Sequence, residues 1–106
     1  MTDNVQPLLT ELRQELSRIY RSRLKGVYLF GSYARGDYCT ESDIDILIVL
    51  SNFDRYGAEI DRTSDIASDL SLKHNLSISM VFVRETDWMD ADTPLLRNAR
   101  QEAIPA

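Results

Sequence analysis

Two aspartates, Asp43 and Asp45, stand two residues apart at the start of the apolar run Ile46-Leu47-Ile48-Val49-Leu50. Successive side chains of a strand point to opposite faces, so both carboxylates project from one face, with their α-carbons roughly 6.5 to 7 Å apart. Two like charges beside a buried strand repel each other and lose hydration, which raises the pKa of at least one of them unless a cation binds. The spacing therefore indicates a site for a divalent cation. Mg²⁺ suits it because it is hard and prefers oxygen ligands.

A second chemical feature precedes the aspartates. Gly31 and Ser32 directly follow the short apolar segment Val27-Tyr28-Leu29-Phe30. A glycine at a strand exit lets a phosphate approach the backbone, and the free N–H groups that follow it form a small anion site with the Ser32 hydroxyl. Arg35 lies one helical turn further, where it could reach a distal phosphate or equally form a surface salt bridge.

Each of these residues also has a plain structural interpretation. Asp43 and Asp45 could be solvated carboxylates at the entrance of a strand, and Ser32 could simply cap a helix. Neither the glycine–serine pair nor the aspartate pair is distinctive alone. Their combination, with the aspartates opening an apolar strand, favours a nucleotide or metal site.

The elements that position this site follow from the hydrophobic pattern. Apolar residues recur with the 3.6-residue period of an amphipathic helix over residues 5–24, and Gly26 is expected to supply its left-handed cap. Residues 27–30 are predicted as the first strand. Residues 43–50 are predicted as a second strand, which lies mid-sheet because its apolar side chains are continuous.

The second half of the chain continues the alternation of helices and strands. Ser51 is expected to cap a long, mostly polar helix that ends at Asn75. Residues 76–83 supply a third strand. Thr93-Pro94 begins a last helix, which Ile104-Pro105 closes. The predicted fold is α/β (α+β), a small mixed sheet flanked by helices in the order α-β-α-β-α-β-α.

Composition narrows the classes of function. A chain of 106 residues with 43% hydrophobic and 27% charged residues predicts one folded domain, residues 1–106. The net charge of −5 argues against a general nucleic-acid binder. No apolar run approaches the roughly 18 residues that span a bilayer, and the start lacks the basic residues of a secretion signal, so we expect a cytoplasmic protein that binds no membrane. One cysteine, Cys39, and one histidine cannot build a Cys/His zinc site, so any metal is held by oxygen.

The motif Gly31-Ser32-x-Ala34-Arg35-Gly36, followed by Ser42-Asp43-x-Asp45, resembles the signature of the minimal nucleotidyltransferases, small relatives of the DNA polymerase beta superfamily. The resemblance implies a Mg²⁺-dependent nucleotidyltransferase with ATP as substrate and room for two metal ions. It implies that Gly31, Ser32 and Arg35 bind the nucleotide, while Asp43 and Asp45 are the catalytic residues and the metal ligands.

The chain further resembles the antitoxin of two-component systems whose toxin is a helical HEPN ribonuclease, a family in which AMP is transferred to a tyrosine of the toxin. This resemblance implies a HEPN-domain partner that brings the acceptor, or a second copy of the chain, a homo-oligomer, that completes the pocket. Transfer to a small molecule such as an aminoglycoside is a third hypothesis, for which the sequence offers no acceptor site.

One departure from the family pattern concerns a third carboxylate, which active relatives carry on a later strand. Here the third strand has no acidic residue, and Ser79 stands near the expected position. Glu85 or Asp87, just beyond that strand, would substitute only if the chain turned back. The alternative hypothesis is therefore a catalytically impaired antitoxin that acts by binding and occluding its partner.

Overall fold

The computed structural model describes residues 5–37, 43–90 and 93–106, so the expectations for Cys39 and Ser42 lie outside the described residues. The helices are α1 (Gln6–Tyr20), α2 (Ser32–Arg35), α3 (Tyr56–His74), α4 (Glu85–Asp90) and α5 (Pro94–Glu102), and a 3₁₀ turn covers Arg21–Arg23. The strands are β1 (Leu24–Phe30), β2 (Ile44–Leu50), β3 (Ile78–Arg84) and β4 (Ile104–Pro105).

The four strands form one mixed sheet in the order β3-β2-β1-β4. β1 is antiparallel to both β2 and β4, whereas β2 and β3 run parallel. Parallel neighbours require a long crossover, and α3 supplies it. The predicted mixed α/β architecture and the central position of β2 are therefore confirmed.

The side chains of β2 alternate between the two faces of the sheet. The even-numbered residues from Ile44 to Leu50 are fully buried, in one core with leucines of α1 and α3, which are Leu8, Leu12, Leu16 and Leu70. On the other face Leu47 and Val49 pack with Leu96 and Ala99 of α5. Asp45 lies on this second face at the start of the strand and stays partly exposed.

The first helix is shorter than its periodicity predicted. It ends at Tyr20, and the residue with positive φ that follows it is Arg21, with φ 51°. The expected cap at Gly26 is therefore wrong. Leu24 already pairs with Leu50 of β2, and the residues after it continue this pairing. Strand pairing therefore overrides the helical pattern. Gly26 lies within β1, where a Cβ would stand 2.6 Å from Cε2 of Tyr28; the glycine makes room for that ring.

Three other boundaries test the predicted caps. Ser51 does not cap α3: its N–H donates to the carbonyl of Arg23, and Arg55 precedes the helix without a capping side chain. Asn75 does end α3, with φ 54° and ψ 45°. Thr93 does cap α5, since its hydroxyl accepts from the N–H of Leu96 at 3.3 Å.

The C-terminal segment differs from the prediction in two elements. The sequence pattern did not indicate α4, which begins directly after β3. Ile104-Pro105 was expected to close the last helix but forms β4, which pairs with Leu29 and Tyr28 of β1. Neither difference shows in local periodicity, because both segments are held by contacts with distant strands. Among the described helices, none is both long and apolar enough to cross a membrane.

Candidate nucleotide and metal site

The glycine–serine turn and the aspartate pair meet at one edge of the sheet. Phe30, the last residue of β1, pairs directly with Asp45 of β2. The chain then turns at Gly31 with φ 74° and ψ −153°, a region that only glycine adopts without strain. A Cβ at Gly31 would overlap Oδ2 of Asp45 and lie 3.2 Å from its Cγ. The missing side chain thus makes room for the carboxylate.

A single helical turn follows the glycine. The N–H of Arg35 donates to the carbonyl of Gly31 at 3.0 Å, and the N–H of Gly36 donates to Ser32 at 2.9 Å. Gly36 ends α2 in the left-handed conformation, with φ 84°. Tyr33 is buried in the main core and anchors the turn. The first N–H groups of a helix have no intrahelical acceptor, and in this turn they begin at Ser32, directly after Gly31 and beside Asp45.

The two aspartates differ in exposure. Asp43 precedes β2 and is exposed, whereas Asp45 is partly buried. Burial raises the pKa of the Asp45 carboxyl, the negative charge of Asp43 raises that pKa further, and the positive charge of Arg35 partly opposes both. This is the electrostatic penalty that the two-residue spacing predicts.

The carboxylate pair fits a hard divalent cation better than a softer one. Both side chains offer oxygen only, and a bound cation would relieve their repulsion and the desolvation of Asp45. Within residues 5–37, 43–90 and 93–106 no group of three or more His, Cys, Asp or Glu side chains is arranged to hold a metal. A metal site at Asp43 and Asp45 therefore stays a prediction. The other positions around Mg²⁺ are commonly filled by substrate phosphates and water.

Arg35 is engaged with acidic side chains of the protein itself. Its guanidinium donates to Oδ2 of Asp37 and to Oε2 of Glu102, each at 3.1 Å. The hydrogen bond with Asp37 and the charges of both carboxylates raise the pKa of Arg35. Arg35 thus forms salt bridges, which is one of the two roles that the sequence suggested for it. Glu102 gave no sequence signal as a neighbour of the turn, because it is 67 residues away at the end of α5.

The position beside Asp45 on β3 is occupied by a hydroxyl. Ser79 pairs with Asp45 in the parallel register, so the two side chains share one face of the sheet. Glu85 and Asp87 belong to α4, which follows Arg84, and Arg84 pairs with Leu50 at the opposite end of β2. The chain does not turn back, and neither acid can replace a carboxylate at Ser79.

Comparison with known proteins finds relatives in sequence and in fold. The family model described as nucleotidyltransferase domain matches residues 9–103. Two proteins of Methanocaldococcus jannaschii, each named "putative protein adenylyltransferase", are similar in sequence. One is 39% identical over 79 residues, which are 74% of this chain and 79% of the relative. The other is 40% identical over 82 residues, 77% of this chain and 76% of the relative.

Three solved structures share the fold. A toxin–antitoxin structure with AMP-PNP contains a chain that matches with TM-score 0.62 and 23% identity, over 89% of this chain and 68% of that chain. A protein described as a "putative minimal nucleotidyltransferase" gives 0.61 and 22%, over 96% and 95%. A complex of a tri-AMPylated HEPN toxin with an MNT antitoxin from Shewanella oneidensis gives 0.57 and 22%, over 94% and 70%. At these identities the likeness establishes the fold alone.

Proposed function

This chain belongs to the nucleotidyltransferase domain family, and from that premise we propose that it transfers AMP from ATP to a hydroxyl group of a partner protein. One observation carries the proposal more than any other: the carboxylate of Asp45 lies against the turn at Gly31, where a side chain of any other residue would displace it. Because the carboxylate at the strand end contacts a turn without a side chain, a cation bound to the carboxylate and a phosphate bound to the turn would lie next to each other.

The proposed roles follow from the positions of the side chains. The N–H groups after Gly31 and the Ser32 hydroxyl donate to the phosphates of the nucleotide. Asp43 and Asp45 would hold Mg²⁺, which would neutralise the charge that develops on the attacking and leaving oxygens. Arg35 contacts a distal phosphate by exchanging one of its carboxylate partners, Asp37 or Glu102, for a phosphate oxygen.

The chemistry balances without a further reactant. The acceptor oxygen attacks the α-phosphorus, the bond between that phosphorus and the bridging oxygen breaks, and pyrophosphate leaves. The acceptor proton passes to water. Binding both reactants in one geometry supplies much of the rate enhancement.

We further propose that the partner is a HEPN-domain toxin and that this chain is its antitoxin. The Shewanella oneidensis complex supports the proposal by analogy of fold, because the HEPN toxin in it is tri-AMPylated and bound to an MNT antitoxin. Among the described residues, Ser79 is the hydroxyl-bearing residue paired in register with Asp45. A protein partner, or a second copy of the chain, would bring the acceptor.

The decisive experiment combines transfer and binding. The protein is incubated with ATP labelled in the α-phosphate, Mg²⁺ and a candidate HEPN-domain protein, and the intact mass of that candidate partner is measured. We expect a gain of one or more AMP units, and we expect Asp43→Asn to abolish it. In a parallel arm, Mg²⁺ with ATP raises the melting temperature of the wild-type protein, and Asp45→Asn removes most of that gain.

A control substitution near the site, outside the residues proposed to take part, is available at Ser77. Ser77→Ala removes a hydroxyl on the same segment as Ser79, just outside β3. We expect AMP transfer by this variant to match the wild type. An unmodified partner in the presence of wild-type protein, ATP and Mg²⁺ contradicts the enzymatic proposal. A thermal shift that persists in Asp45→Asn shows instead that the metal binds elsewhere.

One observation favours a second candidate function, a catalytically impaired antitoxin that occludes its partner. Ser79 stands in register beside Asp45, where active relatives are expected to carry a carboxylate, and a serine hydroxyl is a weak metal ligand and a poor unassisted base. Tight complex formation without AMP transfer, unaffected by Asp43→Asn, would select this candidate.

A further inference from the structure

A polar cavity lies at the end of the central strands that is far from Asp45. Its volume is about 460 Å³, and its wall includes residues just before β1 and just after β2. Arg23 and Asn52 are joined there: a guanidinium N–H of Arg23 donates to the carbonyl of Asn52 at 2.8 Å. Asn52 is seven residues beyond Asp45 along an extended strand, so the cavity lies roughly 20 Å from the candidate nucleotide site.

Three arginines line this cavity, namely Arg23, Arg55 and Arg62. Arg23 lies over the ring of Tyr20, with its Cζ 5.5 Å from the ring centroid, so its plane is oriented by stacking as well as by Asn52. Arg62 donates through Nε to Glu59 at 3.2 Å, which leaves its outer N–H groups for another acceptor. The backbone carbonyl of Arg55 accepts from the N–H of Ala58, but its guanidinium makes no hydrogen bond or ion pair with another described residue.

Two carboxylates share the wall, and they are not equivalent. Glu59 is only 4% exposed and is already satisfied, because it accepts from the Tyr20 hydroxyl at 2.6 Å and from Arg62. Asp54 is exposed. The wall therefore carries three positive and two negative charges, a local excess of one positive charge in a chain whose net charge is −5. The buried carboxylate, Glu59, is the one that forms an ion pair with Arg62.

We propose that this cavity binds a small phosphate-containing anion, held by the guanidinium groups of Arg23, Arg55 and Arg62. Guanidinium groups match phosphate oxygens with paired N–H donors and remain charged at all physiological pH values. The volume lies within the range of small-molecule sites. The ligand is a free small molecule with at least two ionised phosphate oxygens, and the site is separate from the edge that carries Asp45.

Titration calorimetry with inorganic pyrophosphate tests the proposal, in EDTA and at an ionic strength fixed with sodium chloride. Chelation removes the divalent cation on which the candidate nucleotide site depends. The variant Arg55→Gln removes the cation that has no partner among the described residues, so its fold and melting temperature should match the wild type. We expect its Kd for pyrophosphate to be about tenfold weaker, the loss of one charge-assisted contact.

Lys73→Gln is the matched control for charge. It removes the same unit of charge from the opposite end of α3, about 27 Å from Arg55 along the helix axis. At that separation solvent and salt screen its influence, so we expect a change in Kd of less than about twofold. Absence of saturable binding, an Arg55→Gln variant that binds as tightly as the wild type, or equal weakening by both variants would overturn the proposal. AMP transfer is measured separately, so these outcomes leave the proposed reaction untouched.

Discussion

Replacing Gly31 by alanine should damage the candidate nucleotide site and the fold by different amounts. At φ 74° and ψ −153° a residue with a Cβ costs about 1 to 3 kcal/mol of the free energy of unfolding. The same Cβ overlaps Oδ2 of Asp45, so the carboxylate has to move as well. The free energy of unfolding of a native domain is about 5 to 15 kcal/mol, so the variant should stay folded at room temperature.

The displaced carboxylate is what the assay should detect. A shift of about 1 Å in a catalytic group lowers a rate by roughly 100-fold. We therefore expect Gly31→Ala to lose about two orders of magnitude in AMP transfer and most of the thermal shift with Mg²⁺ and ATP. Urea unfolding, followed by the fluorescence of Trp88, measures the loss of stability independently.

Gly36→Ala is the internal control for this prediction. Gly36 also has a positive φ, 84°, but a Cβ there meets no atom within 4 Å. Its substitution should cost about 1 kcal/mol of stability and leave the Mg²⁺–ATP shift close to that of the wild type. Equal losses of nucleotide binding in the two alanine variants would refute the contact between Gly31 and Asp45 as the cause. Wild-type transfer by Gly31→Ala would refute it outright.

Three further perturbations test the electrostatics, a buried hydrogen bond and a helix cap. The folded-state pKa of Asp45 is raised above its unfolded value, so the folded protein binds that proton more tightly and the free energy of unfolding falls as pH rises through this window. Asp45→Asn should remove this decline and stabilise the ligand-free protein at neutral pH, which urea titrations between about pH 4 and 7 would show. Tyr20→Phe removes the hydroxyl that donates to buried Glu59 and should cost about 1.5 to 3 kcal/mol in urea unfolding; an unchanged midpoint would mean that the bond contributes nothing. Thr93→Ala removes the acceptor for the N–H of Leu96 and should cost about 1 kcal/mol, with faster hydrogen exchange confined to the first turn of α5. Thr93→Ser should restore most of the loss.

Local sequence determined the elements whose signals are short-range. The apolar run after Asp43 predicts a strand covered on both faces, and β2 is that strand. Asn75 and Thr93 act within one turn of their helices, and both caps lie where the sequence predicts them. The local pattern was misleading at the end of α1, where the helical periodicity continues past Tyr20. The chain instead pairs with β2 from Leu24 onward.

The amino-acid sequence by itself determined which groups the site contains: an aspartate pair on one strand face and a glycine–serine turn, since alternation in a strand and the conformational freedom of glycine are properties of a few neighbouring residues. Only the tertiary structure decided what stands around them. The register of β1, β2 and β3 brings Gly31 against Asp45 on one side and Ser79 on the other, and α5 brings Glu102 to Arg35. These pairs are distant along the chain, and only the packing of the complete sheet and its helices fixes which of them meet.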